Sequence, residues 1–272
     1  MLTLYFSGTG NTQYIAQLFS RKMGAVCISI EEPRNFTSLL KAHDTICFCY
    51  PIYGSRVPRI LREFVARHMS EINGKKIIVL VTQVLFSGDG ARVFTDMFWD
   101  GAIDVIYAEH FLMPNNVCNL PLLWRTNQRK VERCVQRANI KMNRVCQNIK
   151  NRVVVKRGFS RLSQVLGSIQ GRLWQGSSKE VHPAKHSAEN MSKAGVKIHK
   201  QCNNCEKCIL VCPMKNLENV QGKVTQKGNC TVCYRCVNLC PKRAITVMKF
   251  HRRPRWQYRI MYDFICTTFS KI

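Results

Sequence analysis

The first 150 residues alternate between short apolar runs and longer segments in which apolar side chains recur at helical spacing. The apolar runs cover 1–7, 25–30, 45–50, 77–81 and 103–111. Helical spacing follows the first run and recurs at 58–71, 89–99 and 125–150. Strands that alternate with crossover helices form parallel sheets. The pattern therefore predicts a doubly wound parallel α/β domain with five strands over 1–150.

The rest of the chain divides into three segments by composition. Residues 151–198 are basic and rich in Ser, Gly, Gln and Lys, and we interpret them as a linker. Residues 199–250 contain most of the regularly spaced cysteines and form a second, smaller domain, whereas 251–272 is a basic tail with aromatic residues. Inside the linker, one amphipathic helix is indicated by apolar residues at helical spacing: Phe159, Leu162, Val165, Leu166, Ile169 and Leu173.

The composition places limits on the class of protein. Of 272 residues, 46% are apolar, which excludes a wholly disordered chain. Lys and Arg number 42 against 16 Asp and Glu, a formal net charge of +26. The N-terminus lacks a signal-peptide pattern and no apolar run reaches the ~18 residues of a membrane span, so a cytoplasmic protein is expected. In that reducing compartment, 15 cysteines indicate metal ligation or redox chemistry rather than disulfides.

Eight of the cysteines form two copies of one motif, C-x2-C-x2-C-x3-C-P, offset by 28 residues. The first copy ends at Pro213 and the second at Pro241. This spacing is typical of iron–sulfur ligation. A pair of tetrahedral zinc sites is the alternative, although zinc usually takes two CxxC pairs separated by a longer loop. The candidate ligands are Cys202, Cys205, Cys208, Cys212, Cys230, Cys233, Cys236 and Cys240.

A second candidate site lies between the first strand and the first helix. Its loop is Ser7-Gly8-Thr9-Gly10-Asn11-Thr12, where helix N–H groups and three hydroxyls suit a phosphate. The loop has no lysine and so differs from the nucleoside triphosphatase motif. Gln13 replaces the third glycine of the dinucleotide fingerprint. A hydroxyl-rich loop for a single phosphate is the interpretation that remains.

Loops after later strands should complete that site. In a doubly wound sheet, ligands bind beyond the carboxyl ends of the strands, at the switch point. We expect Tyr53 to stack on a planar ring and the glycines to allow close backbone approach. Asn115, in the loop after the fifth strand, would close over the ring. The predicted ring contacts are Pro51, Ile52, Tyr53, Gly54, Thr82, Gln83, Gly88, Asp89, Gly90 and Asn115.

These motifs together resemble the ferredoxin-fused flavodoxins of strictly anaerobic bacteria, over nearly the whole chain apart from the tail. The resemblance implies a flavodoxin-like FMN domain and a small α+β ferredoxin-like domain with two 4Fe-4S clusters. It also implies that the fourth cysteine of each run ligates the other cluster. One cluster would then have Cys202, Cys205, Cys208 and Cys240, and the second Cys212, Cys230, Cys233 and Cys236.

The function implied by this resemblance is electron transfer between FMN and the two clusters, and on to a redox partner. The alternative is a flavin-dependent oxidoreductase that reduces a small acceptor such as a quinone or nitro compound; a redox sensor is a third reading. The basic surface favours an acidic partner, such as a ferredoxin or a reductase, or an anionic membrane surface. Nucleic-acid binding by the basic aromatic tail is the less favoured reading.

Overall fold

The computed structural model describes residues 1–86, 88–119, 125–175, 196–248 and 253–258. These residues belong to two compact units. Unit 1 comprises Met1–Ser7, Asn11–Met113 and Glu132–Gly171. Unit 2 comprises the described residues of Gly8–Gly10, Pro114–Val131 and Arg172–Ile272. The basic tail is therefore described only over 253–258, and most of the linker after 175 lies outside the described residues.

Unit 1 contains a parallel sheet that has six strands among the described residues, in the order β2-β1-β3-β4-β5-β6. The predicted doubly wound sheet is confirmed, but the prediction of five strands was wrong by one. The sixth strand has only two residues, and it pairs with Tyr107 and Ala108 of the fifth. The strands are β1 (Leu2–Tyr5), β2 (Val26–Ser29), β3 (Thr45–Pro51), β4 (Lys76–Gln83), β5 (Asp104–Leu112) and β6 (Val155–Lys156).

The helices of unit 1 depart from the sequence pattern at two places. The predicted helix over 58–71 is interrupted at His68, whose backbone leaves the helical region. The predicted helix over 89–99 is a short 3-10 helix at Arg92–Met97, because Gly88 and Gly90 are poor helix formers. The α-helices are α1 (Asn11–Met23), α2 (Phe36–Lys41), α3 (Arg59–Arg67), α4 (Met69–Ile72), α5 (Gln128–Lys150) and α6 (Arg161–Gln175).

The central strands are buried on both faces, as expected for a sheet covered by helices. In β3, Ile46 to Tyr50 are completely buried, and so are Ile77 to Val81 in β4. The Phe94 ring of the 3-10 helix packs on Phe48 and Tyr50, with ring centroids 4.9 and 5.9 Å apart. This packing holds the 3-10 helix against the sheet and so fixes the loop that precedes it.

Unit 2 repeats one structural motif at the 28-residue offset of the cysteine runs. Helix α7 (Lys207–Leu210) corresponds to α8 (Arg235–Leu239). Strand β8 (Leu217–Val220) pairs antiparallel with β9 (Lys223–Gln226), and β10 (Ile245–Thr246) pairs in the same way with β7 (Lys197–Ile198). These four strands therefore form two separate two-stranded sheets among the described residues.

The repeat extends to individual backbone conformations and hydrogen bonds. The Lys227 amide donates to the Asn216 carbonyl at 2.8 Å, and the His199 amide donates to the Ala244 carbonyl at the same distance. Three pairs of non-glycine residues, each 28 apart, have left-handed φ values between 47° and 61°: Asn204 and Val232, Glu206 and Tyr234, Lys215 and Arg243. Such residues adopt positive φ only when the surrounding structure requires it.

A buried carboxylate joins the edge of the sheet to α5 and β6 in unit 1. The Glu109 side chain is 3% exposed. It accepts ion-paired hydrogen bonds from Lys141 Nζ at 2.9 Å and Arg157 Nε at 2.7 Å, and another from the His110 amide. Burial lowers the pKa of Lys141, although the Glu109 carboxylate opposes this shift.

We predict that Glu109→Gln lowers the free energy of unfolding of the full chain by about 1–3 kcal/mol, because a neutral amide replaces the buried charged acceptor of Lys141 and Arg157. Glu63→Gln is the matched control, since it removes a pair with Arg59 in which the Glu63 side chain is exposed, worth roughly 0.3–0.5 kcal/mol on a helix. Chemical denaturation followed by circular dichroism measures both. Equal losses for the two variants would contradict the structural role of Glu109.

Candidate functional site

Three loops of unit 1 meet at the carboxyl ends of β1, β3 and β4. The parallel register places Pro51 opposite Thr82, and the Ile52 amide donates to the Thr82 carbonyl at 2.9 Å. The buried hydroxyls of Thr12 and Thr82 share a hydrogen bond of 2.8 Å. The structure thus brings together the end of the predicted phosphate loop, at Thr12, and two of the predicted ring loops.

The loop from Ser7 to Thr12 has the local geometry of a phosphate site. It leads into α1, a helix of 13 residues with no acidic residue in its first turn. The Ser7, Thr9 and Thr12 side chains are buried, and Gly10 has a φ of 93°. A side chain at position 10 would strain this backbone and block approach to the loop. The helix N-terminus supplies N–H donors that suit an anion.

Unit 2, which includes the loop tip Gly8–Gly10, provides contacts that the sequence did not predict. Asn116 Nδ2 donates to Thr9 Oγ1 at 2.8 Å, and Arg235 Nε donates to the Gly8 carbonyl at 3.3 Å. Asn238 Nδ2 in turn donates to the Asn116 carbonyl. Arg235 and Asn238 lie within the second cysteine run, more than 220 residues from the loop. No periodicity or motif signals a pairing at such separation.

The loop after β3 is a tight turn that carries the predicted stacking residue. Tyr53 and Arg56 exchange two backbone hydrogen bonds of 3.2 Å, and between them Gly54 and Ser55 both have positive φ. Positive φ at both central positions is the signature of a type I′ turn. The Tyr53 side chain is half-buried. Its stacking role stays a prediction.

In the loop after β4, the residues predicted to contact the ring form contacts within the protein. Asp89 is buried and pairs with Arg92 at 2.7 Å, and the Gly90 carbonyl accepts a hydrogen bond from the Tyr50 hydroxyl at 3.0 Å. Gly88 has a φ of 55° and packs directly against Gly167 of α6. The Gln83 backbone carbonyl accepts a hydrogen bond from the Met113 amide. The sequence did not indicate that Asp89 would be neutralised by an arginine.

In unit 2, Asn115 is buried and also forms local hydrogen bonds. Its Oδ1 accepts a hydrogen bond from the Val117 amide at 2.9 Å, and its backbone carbonyl accepts one from the Thr126 hydroxyl at 2.9 Å. These bonds shape the loop that follows β5. The predicted contact of Asn115 with a ring stays a prediction.

The cysteines of the two runs lie close to one another across the repeat. One pocket is lined by Cys212 of the first run together with Cys230, Cys233 and Cys236 of the second. Burial raises the pKa of the Cys236 thiol well above its ordinary value, and neighbouring thiols, including Cys212, add to the shift. Burial also raises the pKa of Cys208 to about 11, with contributions from Cys240 and Cys202. Each group therefore combines thiols from both runs.

Backbone amides point at the sulfur atoms in the same pattern in both runs. The amides of Asn204 and Val232 donate to the sulfurs of Cys202 and Cys230, at 3.4 and 3.3 Å. The last cysteine of each run accepts a similar bond, Cys212 from Asn216 at 3.3 Å and Cys240 from Ala244 at 3.2 Å. Successive N–H groups in mixed right- and left-handed conformations form concavities that bind anions.

The remaining cysteines show no such arrangement. Cys47 and Cys49 are buried in β3 with their sulfurs 3.7 Å apart, and burial raises the pKa of Cys47. Cys118 is buried in the core of unit 2 with Val237 and Ile245. Cys266 lies outside the described residues.

Two features are absent among the described residues, a single-ion metal group and a membrane-spanning helix. In this part of the chain, no group of three or more His, Cys, Asp or Glu side chains is placed to hold a single metal ion. Among the same residues, no helix has the length and apolar character that crossing a bilayer requires.

Comparison with known proteins identifies one part of the chain. Residues 2–114 match the model of the flavodoxin domain family. No curated protein matches the chain. Oxidised Flavodoxin 2 from Bacillus cereus is 19% identical and aligns over 53% of this chain and 97% of its own, with a TM-score of 0.37. Two-electron reduced Megasphaera elsdenii flavodoxin is 21% identical over 52% and 99%, with a TM-score of 0.37. On the strength of the family match, the N-terminal part of the chain is a flavodoxin-like domain.

Proposed function

We propose that this protein transfers electrons between FMN and two 4Fe-4S clusters held in the same chain, and passes them on to a redox partner. The observation that carries the proposal is the joining of a flavodoxin-like domain to two structurally equivalent cysteine runs whose thiols group across the repeat. The flavodoxin-like domain suggests FMN-binding electron transfer. The cysteine runs supply the ligand type and spacing for the clusters.

The residues at the first site fit FMN. The loop Ser7–Thr12 offers hydroxyls, a glycine that leaves the backbone open, and one helix N-terminus, which suits a single phosphate rather than a pyrophosphate. The loops at Pro51–Gly54 and Thr82–Gln83 adjoin it at the carboxyl edge of the sheet. Arg235 adds a cation beside Gly8 and would favour the phosphate dianion.

The residues of the second site fit a cluster better than a single ion. A 4Fe-4S cube binds each cysteine at a different iron, so its four sulfurs do not converge on one point. The grouping of Cys212, Cys230, Cys233 and Cys236 around one pocket supports this assignment. The Thr231 hydroxyl lines the same pocket, is buried, and has no hydrogen-bond partner among the described residues. A sulfide or thiolate would accept a hydrogen bond from this hydroxyl.

The chain's own groups have distinct roles in this proposal. FMN, when bound, exchanges one or two electrons, whereas each cluster exchanges one. The amides of Asn204, Asn216, Val232 and Ala244 donate to the ligand sulfurs, and such bonds stabilise negative charge on the thiolates. Burial of Cys233 and Tyr234 limits the access of water to the second site.

The surroundings of two side chains weigh against the alternative of a flavin enzyme that protonates a small acceptor. Asp89 and His110 are the candidate proton donors near the predicted ring contacts. Asp89 is held by Arg92 at 2.7 Å, and burial lowers the pKa of His110 to about 4, so this imidazole is neutral near pH 7. A neutral imidazole is a poor general acid. We therefore favour an electron carrier over an enzyme.

We further propose an acidic redox protein, such as a ferredoxin or a reductase, as the partner. The part from 151 to 272 has 23 Lys and Arg against 5 Asp and Glu. A field of this sign steers an acidic protein toward the half of the chain that contains the cysteine runs.

We predict that Gly10→Val weakens FMN binding by at least about tenfold, because the Cβ branch strains a left-handed backbone and blocks the approach of phosphate. Gly24→Val is the matched control. Gly24 also has positive φ, but a Cβ there meets no atom within 4 Å and lies at the far end of α1. Flavin titration of both variants makes the comparison. Equal FMN affinity in the two variants, or FAD as the flavin released by acid, would argue against the site.

We predict about eight irons and eight acid-labile sulfides per chain, since each cube holds four of each. Cys212→Ser should reduce the signal of the cluster that includes Cys236, and Cys118→Ser is the control for loss of a buried thiol outside the runs. Metal and sulfide analysis of anaerobically purified protein provides the test. Stoichiometric zinc with little iron would refute the cluster assignment.

We predict that the second-order rate of electron exchange with an acidic ferredoxin falls steeply as salt shortens the Debye length from ~10 Å at 0.1 M to ~3 Å at 1 M. Neutralising Arg253 and Arg255 together, both in the described part of the tail, should lower the rate at low salt and flatten its salt dependence. Stopped-flow mixing measures both effects. A rate that is independent of ionic strength in the unmodified protein would remove the electrostatic docking role.

A further inference from the structure

Helix α6 (Arg161–Gln175) leaves four large apolar side chains of its first three turns in solvent. Leu162, Val165, Leu166 and Ile169 follow the i, i+3, i+4, i+7 spacing and therefore share one face of the helix. Their exposed fractions are 69%, 56%, 38% and 50%. An amphipathic helix of a globular domain normally buries this face against its own core. We call these four side chains the α6 apolar face.

The helix packs on unit 1 through a different face made of small residues. A Cβ placed on Gly88 would lie 2.5 Å from the Cα of Gly167 and 3.0 Å from the carbonyl oxygen of Ser163. Ser163 and Gly167 are four residues apart and lie well round the helix from the apolar face. Because the small face makes the close contact, the exposure of the apolar face is a consequence of how the helix is anchored.

The sequence around the helix carries charge of one sign, and the Asp89 carboxylate, which lies against the docked face at Gly167, is paired with Arg92. Between Glu132 and Glu180 the sequence has no acidic residue and eleven Lys and Arg. Two of these cations, Arg157 and Arg161, stand at the start of the helix, and the Arg157 side chain remains 57% exposed although it pairs with Glu109. A second copy of the same face would meet this surface with like charge. The charge of this segment is therefore complementary to that of an extended negative surface.

We propose that α6 is an interfacial helix that binds this protein to an anionic phospholipid bilayer. Four aliphatic side chains on one helical face would enter the boundary between headgroups and acyl chains, and the surrounding cations would contact the phosphates. Exposed aliphatic side chains favour a bilayer over an acidic redox protein, because transient electron-transfer interfaces are small and are guided by charge. Leu85 and Phe86 are also exposed, on the segment that leads to the Gly88 contact. The proposal is independent of the cofactors.

Flotation of the full chain with vesicles tests the proposal directly. The probe is vesicles of phosphatidylglycerol mixed with phosphatidylcholine, compared with vesicles of phosphatidylcholine alone. We expect binding to the anionic vesicles that weakens at 1 M salt, where the Debye length is about 3 Å. Leu162→Ser/Leu166→Ser should reduce the partition coefficient by at least about tenfold, because it removes much of the apolar area that enters the lipid.

A matched double variant separates this role from a general loss of surface hydrophobicity. Val26→Ser/Ile140→Ser removes two exposed aliphatic side chains of unit 1 outside α6, and it should bind vesicles as the unmodified chain does. Because all four positions are exposed, circular dichroism and the unfolding midpoint should be unchanged in both variants. Three results would overturn the proposal: no binding to anionic vesicles, equal binding by the α6 variant, or a dimer that the α6 variant abolishes.

Discussion

The parallel register of β1, β3 and β4 determines where every loop of unit 1 that is suited to a cofactor must lie. In a parallel sheet the carboxyl ends of adjacent strands share one edge, and here Pro51 stands opposite Thr82 at that edge. The buried hydrogen bond between Thr12 and Thr82 then holds the start of α1 against the end of β4. Because these strands are buried on both faces, a register slip would move apolar side chains out of the core.

A second constraint operates on the backbone of unit 2. Six non-glycine residues in equivalent positions of the two halves take left-handed φ values, at a cost of order 1 kcal/mol or more each. In return, amides of both halves point at cysteine sulfurs with the same geometry. Because the strain recurs at the 28-residue interval, both halves of unit 2 hold the same loop geometry around their cysteines.

The sequence pattern predicted the first five strands, because long apolar runs alternate with segments of helical spacing. The sixth strand escaped prediction since two residues carry no periodicity, and the helix predicted over 89–99 was too long because the effect of Gly88 and Gly90 was neglected. The contacts of Arg235 and Asn116 with the loop tip depend on tertiary structure, whereas the pair of Asp89 and Arg92 is local, with the two residues three positions apart. Likewise, the spacing in α6 revealed an apolar face but not that a face of small residues would dock instead.

The claim that one chain joins a flavin to iron–sulfur clusters is tested most directly by the kinetics of internal electron transfer. The flavin of the anaerobic, fully oxidised protein would be reduced by a short light pulse with a sacrificial donor, and flavin and cluster absorbance would be followed together at several protein concentrations. We expect flavin reoxidation to coincide with cluster bleaching, at a rate independent of protein concentration. A rate proportional to concentration, or flavin reoxidation with no change in cluster absorbance, would contradict transfer within the chain.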